Sequence, residues 1–550
     1  MKIPTPAIVT QAGARRFPRY ALLLLCGIYV FSGFIGRDGW KSADMVALGI
    51  MSELVQGSAH WLQPSLMGMP ANEPALLPYW LGAWGMQIAP AWSAVDFVAR
   101  IPFMLLLWFA MMATWYGTYY LARHPQAQPV AFAFGGEAQP KDYARAIADG
   151  GVLAFIACLG LAQLSHETTP ALAQLGFSAL LYYALAALPY SRTIPALAGV
   201  MGLLGLSLSG APILAALLGW GGAILHWKNN RSESLFIALL GLLNLTAAAM
   251  LDLLRWKIAP FPIWADWSGY GQLLIWFTWP AWPLAGWTLW RWRKQLGSRH
   301  IVLPLWFLCV LLIATLTSHN SDRTLLLALP ALATLAAFAL PTLKRQVSAL
   351  IDWFALLFFS TSALTIWVIW IAMQTGFPPQ PAANVARLAP GFEATFSPFT
   401  LVIASAATLA WLWLVKWRVG RHPAAIWKSL VLPAGGAALS FLLLMTLWMP
   451  LLNYAQSYTA LVKRTQSYIG NDVPCVEIFD LGQGQIAAFQ FYGKLSLKPM
   501  QPTPTCPWLL VEPRADLSPP IHQNLLAWTL VATIQHPTNA GESVLLYRRP

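Results

Sequence analysis

Directly after its first long apolar run the sequence carries Arg37-Asp38-Gly39-Trp40-Lys41, followed by Asp44 and Glu53. Arg100 opens the next such run, His166-Glu167 follows the third, and Arg323 precedes a late one. A carboxylate near a reacting bond can act as a general base. Cations stabilise negative charge where it develops, Arg through a bidentate fork and Lys as a point charge. Asp38 and Asp44 are therefore candidate catalytic residues. Arg37, Lys41, Arg100 and Arg323 are candidate phosphate ligands, because each lies beside an apolar helix where a lipid phosphate would rest. His166 and Glu167 form a candidate second-loop site, with a local hydrogen bond at a helix end as the simpler reading. Glu53 reads as an acid on a solvated helix face. The nine His are dispersed with no paired spacing on one helix, so no metal ligand set stands out, although a divalent metal stays open. No phosphate-binding glycine loop, dinucleotide fingerprint or nucleophile elbow is present.

What must position these groups is a membrane. Of 550 residues, 57% are hydrophobic and 10% charged, where a soluble domain is roughly 25% charged. A water-soluble chain could not hide that much apolar surface, and a disordered chain would have the opposite composition. The 29 Trp suit a protein with many membrane interfaces. The net charge of +13 does not indicate a nucleic-acid partner, since Lys and Arg sit mostly in short gaps between apolar runs.

Apolar runs of about 20 residues, the length of a membrane-spanning helix, occur at 20–36, 100–121, 150–164, 171–189, 194–209, 211–227, 235–253, 272–290, 301–317, 324–341, 350–373, 399–415 and 429–449. That predicts an α-helical polytopic protein of about thirteen spans. With Arg15, Arg16 and Arg19 in the cytoplasm, alternation leaves only Arg37, Lys41, Arg100, Arg255, Lys257, Arg323 and Arg387 in outer loops before residue 450. Cytoplasmic loops take the larger share of basic residues, so this orientation is the favoured one. The longest outer segment, 37–99, is rich in Trp and Pro and reads as interfacial amphipathic helices. Shorter outer segments of similar character lie at 254–271 and 374–398.

From 451 to 550 the character changes to that of a small α/β domain outside the membrane. Residues 473–481, 507–512 and 543–549 read as strands, and 483–493 and 519–530 as helices. Cys475 and Cys506 stand near two strand starts; an oxidising compartment would permit a bridge, and their spacing leaves open whether they pair.

The series Arg37-Asp38…Asp44, Gly57…Trp61…Pro64, Pro74…Tyr79-Trp80 and Arg100 resembles the first outer loop of bacterial GT-C membrane glycosyltransferases, the superfamily of protein mannosyltransferases and lipid A aminoarabinose transferases. Ser165-His166-Glu167, Asn320…Arg323…Pro330 and Phe489-Gln490-Phe491-Tyr492-Gly493 extend the likeness over nearly the whole chain. Three positions depart from the pattern: Ala43-Asp44 stands where relatives carry adjacent Asp and Glu, Glu73-Pro74 where Lys precedes Pro, and the Asp that follows the His-Glu pair is replaced by Pro170 or lost.

The resemblance implies an inverting glycosyltransferase that takes a sugar from a polyprenyl phosphate carrier at the periplasmic face of the bacterial inner membrane. Its acceptor would be a lipid or envelope glycan, and its partners membrane lipids and the carrier. Asp44 matches the family's carboxylate position, with Asp38 the alternative base. Two other readings remain: a transporter or flippase for a lipid-linked glycan, and a catalytically divergent glycan-binding relative. A transporter would place ionisable groups at mid-span, whereas these runs are nearly free of charge there.

Overall fold

The computed structural model describes residues 5–40, 43–254, 267–420, 425–470, 473–501, 503–513 and 528–549. Among the described residues, seven helices are long and apolar enough to cross a membrane: Val95–Ala122, Pro170–Ala187, Arg231–Met250, Arg299–Leu316, Arg345–Thr375, Pro398–Val419 and Lys428–Leu447. Shorter apolar helices occupy Arg19–Ser32, Thr193–Leu208, Pro212–His226 and Leu329–Thr342. Proline marks several starts, at Pro140, Pro170, Pro212 and Pro398. There the missing N–H would have had no partner within the helix.

Three apolar runs are broken: 150–164 after Ala157, 324–341 after Leu326, and 272–290 after Phe277. Residues 272–290 form two helices, Trp267–Phe277 and Ala281–Arg291, because Pro280 cannot continue the first. In lipid the carbonyls freed by such a break need internal donors. The bend that ends the Pro140–Ala157 helix supplies them: Gly160 N–H reaches the Phe277 carbonyl at 2.9 Å and Leu159 N–H the Trp279 carbonyl at 3.1 Å. A Cβ on Gly160 would stand 2.1 Å from the Phe277 ring, so only glycine permits the approach. This junction fixes where the chain enters Ser165-His166-Glu167.

The long segment after the first helix is less superficial than its sequence suggests. Helix Ala43–Gln56 buries Asp44 and Glu53 along with its apolar residues, instead of lying with one wet face. It packs on Leu77–Gln87 and on Gln483–Phe491. Contact with the latter is close enough that a Cβ on Gly49 would come within 2.5 Å of Ala487. A two-strand hairpin, Ser65–Leu66 with Met69–Pro70, joins the helices. Within the other segments expected outside the membrane, Pro379–Leu388 is a short helix with no buried residue, and 255–266 lies outside the described residues.

Beyond residue 473 five strands form one sheet, in the order Leu497–Pro499, Val476–Phe479, Trp508–Val511, Asn539–Arg548, Thr529–His536. The first three are parallel and the last two antiparallel. Helix Gln483–Phe491 crosses between the first parallel pair. Two of the strands, Leu497–Pro499 and Thr529–His536, carry too little apolar alternation to be read from sequence; their outer residues are exposed. The helix expected at 519–530 lies outside the described residues as far as 527, and its last two positions are strand.

Cys475 and Cys506 are bridged, with Cα atoms 5.3 Å apart. The bridge ties the starts of two adjacent parallel strands, whose edges otherwise rest on four-residue ladders. Closing a loop with a sequence separation of 31 should stabilise the sheet by about 3–4 kcal/mol. Replacing both cysteines by serine, or reducing the wild type, is expected to lower the thermal midpoint for protease cleavage within 473–549. An unchanged midpoint would separate the bridge from stability.

Candidate active site

Six of the expected site residues meet in one network. Arg37, Asp44 and Arg100 are each only 2% exposed. The Arg37 guanidinium has Nη2 3.6 Å from Asp44 Oδ2 and lies over Trp40, 3.9 Å from the ring centroid. Arg100, on the first turns of Val95–Ala122, donates to the Arg37 main-chain carbonyl and pairs with Asp96 at 3.2 Å. Asp44, in the first turn of Ala43–Gln56, accepts through Oδ1 from the Thr168 N–H at 2.8 Å and the Thr168 hydroxyl at 2.5 Å. Its Oδ2 accepts from Trp40 N–H at 3.2 Å. Next along the chain, Glu167 accepts from Arg323 Nη2 at 2.9 Å. Arg323 sits on the short helix Ser321–Leu326, whose preceding Asn320 donates to Glu73 Oε1 at 2.9 Å. Lys41 lies outside the described residues.

Asp38 joins from the other side. Its N–H donates to Asn453 Oδ1 at 3.1 Å and its carboxylate accepts from the Thr459 hydroxyl at 3.2 Å. Burial raises its pKa, opposed by hydrogen bonds from Ser457 and Thr459 and by the charge of Arg100. Glu167 is raised for the same reason, with Arg323 opposing. Burial lowers the pKa of Arg37 against the attraction of Asp44 and Glu167.

The Arg37 guanidinium is the unusual member. Among the described residues its Nε, Nη1 and Nη2 are buried without a hydrogen-bond acceptor, as are Arg100 Nη2 and Arg323 Nε. An unsatisfied buried donor costs about 1–3 kcal/mol and more when charged. A carboxylate 3.6 Å away compensates the charge but leaves the donors unspent. Three cationic side chains therefore keep donors that an oxyanion with several acceptor oxygens could satisfy.

His166 does something different. Its imidazole turns into the bundle, with Nε2 3.0 Å from the Tyr29 carbonyl and Nδ1 within reach of the Ala162 carbonyl and the Ser165 hydroxyl. Tyr29, Phe34 and Phe441 surround the ring. Gly33 makes room for it, since a Cβ there would stand 2.3 Å from the ring. The helix-end hydrogen bond thus describes His166, while its neighbour Glu167 belongs to the charged network.

A cavity of about 180 Å³ meets the network at Glu73 and Arg323 and is lined also by Asn72, Gln174, His319 and Asn320. Asp44 is covered by Trp40 and Thr168. Among the described residues, no three His, Cys, Asp or Glu side chains stand together as metal ligands.

Four contributors escape a reading by residue type. Thr168 holds Asp44. Asn453 accepts from Asp38 N–H and from Trp40 Nε1 and donates to the Gly36 carbonyl. Tyr492 accepts from Gly39 N–H at 2.7 Å. Glu53, expected to be solvated, is 6% exposed and accepts from Met67 N–H and Gln490 Nε2, joining hairpin and carboxyl-terminal helix. The resemblance of 489–493 was the available signal for Tyr492; Asn453 offered none.

No family model matches the chain, and no curated protein matches it. Solved structures do. The crystal structure of ArnT from Cupriavidus metallidurans bound to undecaprenyl phosphate is similar with a TM-score of 0.60 and 12% identity, covering 96% of this chain and 97% of that one. The apo ArnT structure gives 0.59 and 11% over the same shares. Arabinosyltransferase EmbB from Mycobacterium smegmatis overlaps 94% of this chain and 46% of its own, at a TM-score of 0.42 and 12% identity. The chain is a polytopic helical membrane protein. Its fold is that of the two ArnT structures.

Two outcomes test the geometry. Burial, reinforced by Arg37 against the hydrogen bonds to Ala162 and Tyr29, pulls the His166 pKa from 6.5 to about 3. The unfolded state then binds the extra proton, so stability present above about pH 6.5 should be lost as pH falls towards 3, at about 1.4 kcal/mol per pH unit. His166→Gln should flatten that slope in pH-dependent thermal unfolding; an unaltered slope would contradict the burial. Asn453→Ala removes three hydrogen bonds and should cost about 1–3 kcal/mol. Increased hydrogen exchange confined to 36–40 is the measurement, and unchanged exchange would refute the clamp.

Proposed function

We propose that the protein is a glycosyltransferase of the inverting GT-C type, using a polyprenyl-phosphate-linked sugar at the periplasmic face of the inner membrane. The observation that carries this is the buried Arg37 guanidinium, unspent as a donor beside Asp44 and within the same network as Arg100, Glu167 and Arg323. The ArnT structure of the same fold holds undecaprenyl phosphate. A lipid phosphate is the kind of group that such donors fit.

In this reading the acceptor hydroxyl attacks the anomeric carbon as a carboxylate takes its proton. The bond between that carbon and the carrier phosphate oxygen breaks, and the polyprenyl phosphate leaves with one more negative charge. Arg37, Arg100 and Arg323 offset the growing charge. Asp44 is the favoured base: Thr168 anchors Oδ1, while among the described residues Oδ2 receives one N–H, from Trp40. Asp38 is the second candidate, its raised pKa suited to accepting a proton. Glu167 orients Arg323.

The same reading sets the topology: about thirteen spans, amino terminus in the cytoplasm, residues 1–450 as the membrane domain and 451–550 as a periplasmic domain. The disulfide supports an oxidising compartment for that sheet. The acceptor is a lipid or envelope glycan.

Transfer is measured as undecaprenyl phosphate released from lipid-linked sugars in membrane extracts. Asp44→Asn should cut kcat by about 100-fold or more while leaving undecaprenyl phosphate binding nearly intact. Arg100→Ala or Arg323→Ala should lower the rate and also weaken carrier binding, by about tenfold each. Full activity in both Asp38→Asn and Asp44→Asn would overturn the assignment.

A further inference from the structure

At the end of the bundle opposite the Arg37–Asp44 cluster there is a second, separate cavity of about 330 Å³. It lies among helices Arg19–Ser32, Val95–Ala122 and Pro140–Ala157. The other ends of those helices lead to Arg37, Arg100 and the Ser165–Thr168 segment. Its body is apolar, walled by Leu23, Trp108, Met112 and Tyr116, and its mouth carries Arg16, Arg19 and Arg145.

This cavity is built, not incidental. Asp149 is 5% exposed and accepts from the Phe17 N–H at 2.9 Å and from Trp115 Nε1 at 2.8 Å. Those bonds fix the amino-terminal segment against two helices and spend the carboxylate on the floor. Asp142 stands behind the mouth, paired with Arg16 at 3.1 Å and standing 3.7 Å from Arg145, and it also accepts from Gln11. Three arginines thus line a cavity with two carboxylates, both engaged by protein donors, and Arg19 is exposed. The wall hydrophobics Leu23 and Met112 stay 53% and 45% exposed.

We infer that this cavity binds one anionic phospholipid from the leaflet opposite the transfer site. Its phosphate would sit among Arg16, Arg19 and Arg145, and an acyl chain would run along Leu23 and Met112. A zwitterionic lipid fits less well, because its cationic headgroup would meet the arginines. Charge complementarity at an apolar slot is the signature of lipid-headgroup recognition by basic residues between helices. Occupancy braces the first helix, which delivers Arg37 at its far end.

The test uses the full-length protein in nanodiscs of equimolar phosphatidylglycerol and phosphatidylcholine, with tightly retained lipid counted by native mass spectrometry. One phosphatidylglycerol should survive delipidation in preference to phosphatidylcholine. The triple variant Arg16→Gln, Arg19→Gln, Arg145→Gln should weaken that preference by about 100-fold. Met112→Trp, which fills the slot without altering charge and touches no ion pair, should displace the lipid even if the triple variant folds poorly. Arg323→Gln, in the distant cluster, should leave retention unchanged. Equal retention of the two lipids would overturn the inference, as would phosphatidylglycerol loss in Arg323→Gln with retention in Met112→Trp. The last outcome would place the lipid at the transfer site instead.

Discussion

Arg37 and Asp44 form an ion pair taken almost entirely out of water, and the surrounding structure is organised around its cost. Removing two charges from water costs several kcal/mol each, which a 3.6 Å attraction does not recover alone. The balance comes from neighbours. Thr168 donates twice to Asp44, Trp40 lies beneath the guanidinium, and Arg100 holds the Arg37 carbonyl. Each neighbour belongs to a different segment, so the pair exists only when those segments are already docked.

That requirement explains otherwise odd features. The break at Pro280 and the bend at Leu159–Gly160 satisfy each other's backbone groups and bring Glu167 and Thr168 to the pair. Asn453 and Tyr492, from the far end of the sequence, grip Gly36, Asp38 and Gly39. Glu53 bonds to both the hairpin and the carboxyl-terminal helix. Helix Gln483–Phe491, with Tyr492 after it, therefore acts as a wall against which the arginine-bearing loop is set, and the disulfide holds together two strand starts of the sheet it belongs to.

Much of the helical architecture was legible because apolar runs of membrane length leave few alternatives. Each such run is met by helix, although 150–164 and 272–290 became two helices each and 324–341 a short helix before a longer one. The arginines expected on the outer face were legible for a related reason: topology disfavours them there, so Arg37, Arg100 and Arg323 stood out, and the structure brings all three to one network. What sequence could not supply was partnership over distance. Asn453 meets Asp38 across 415 positions, and Thr168 meets Asp44 across 124; neither residue type signals such a role. Glu53 and His166 show the converse. An acid on an apparently amphipathic helix was covered by a domain encoded far away, and a histidine beside an acid was captured by aromatic packing.

The central claim is that the buried arginines exist to hold a lipid phosphate next to Asp44. An experimental structure of the protein with undecaprenyl phosphate, the ligand of the ArnT structure with the same fold, tests it most directly. The account predicts phosphorus within hydrogen-bonding reach of Arg37 and of at least one of Arg100 and Arg323, with Asp44 beside it. Phosphate density elsewhere, with the Arg37 donors still unfilled, would contradict it.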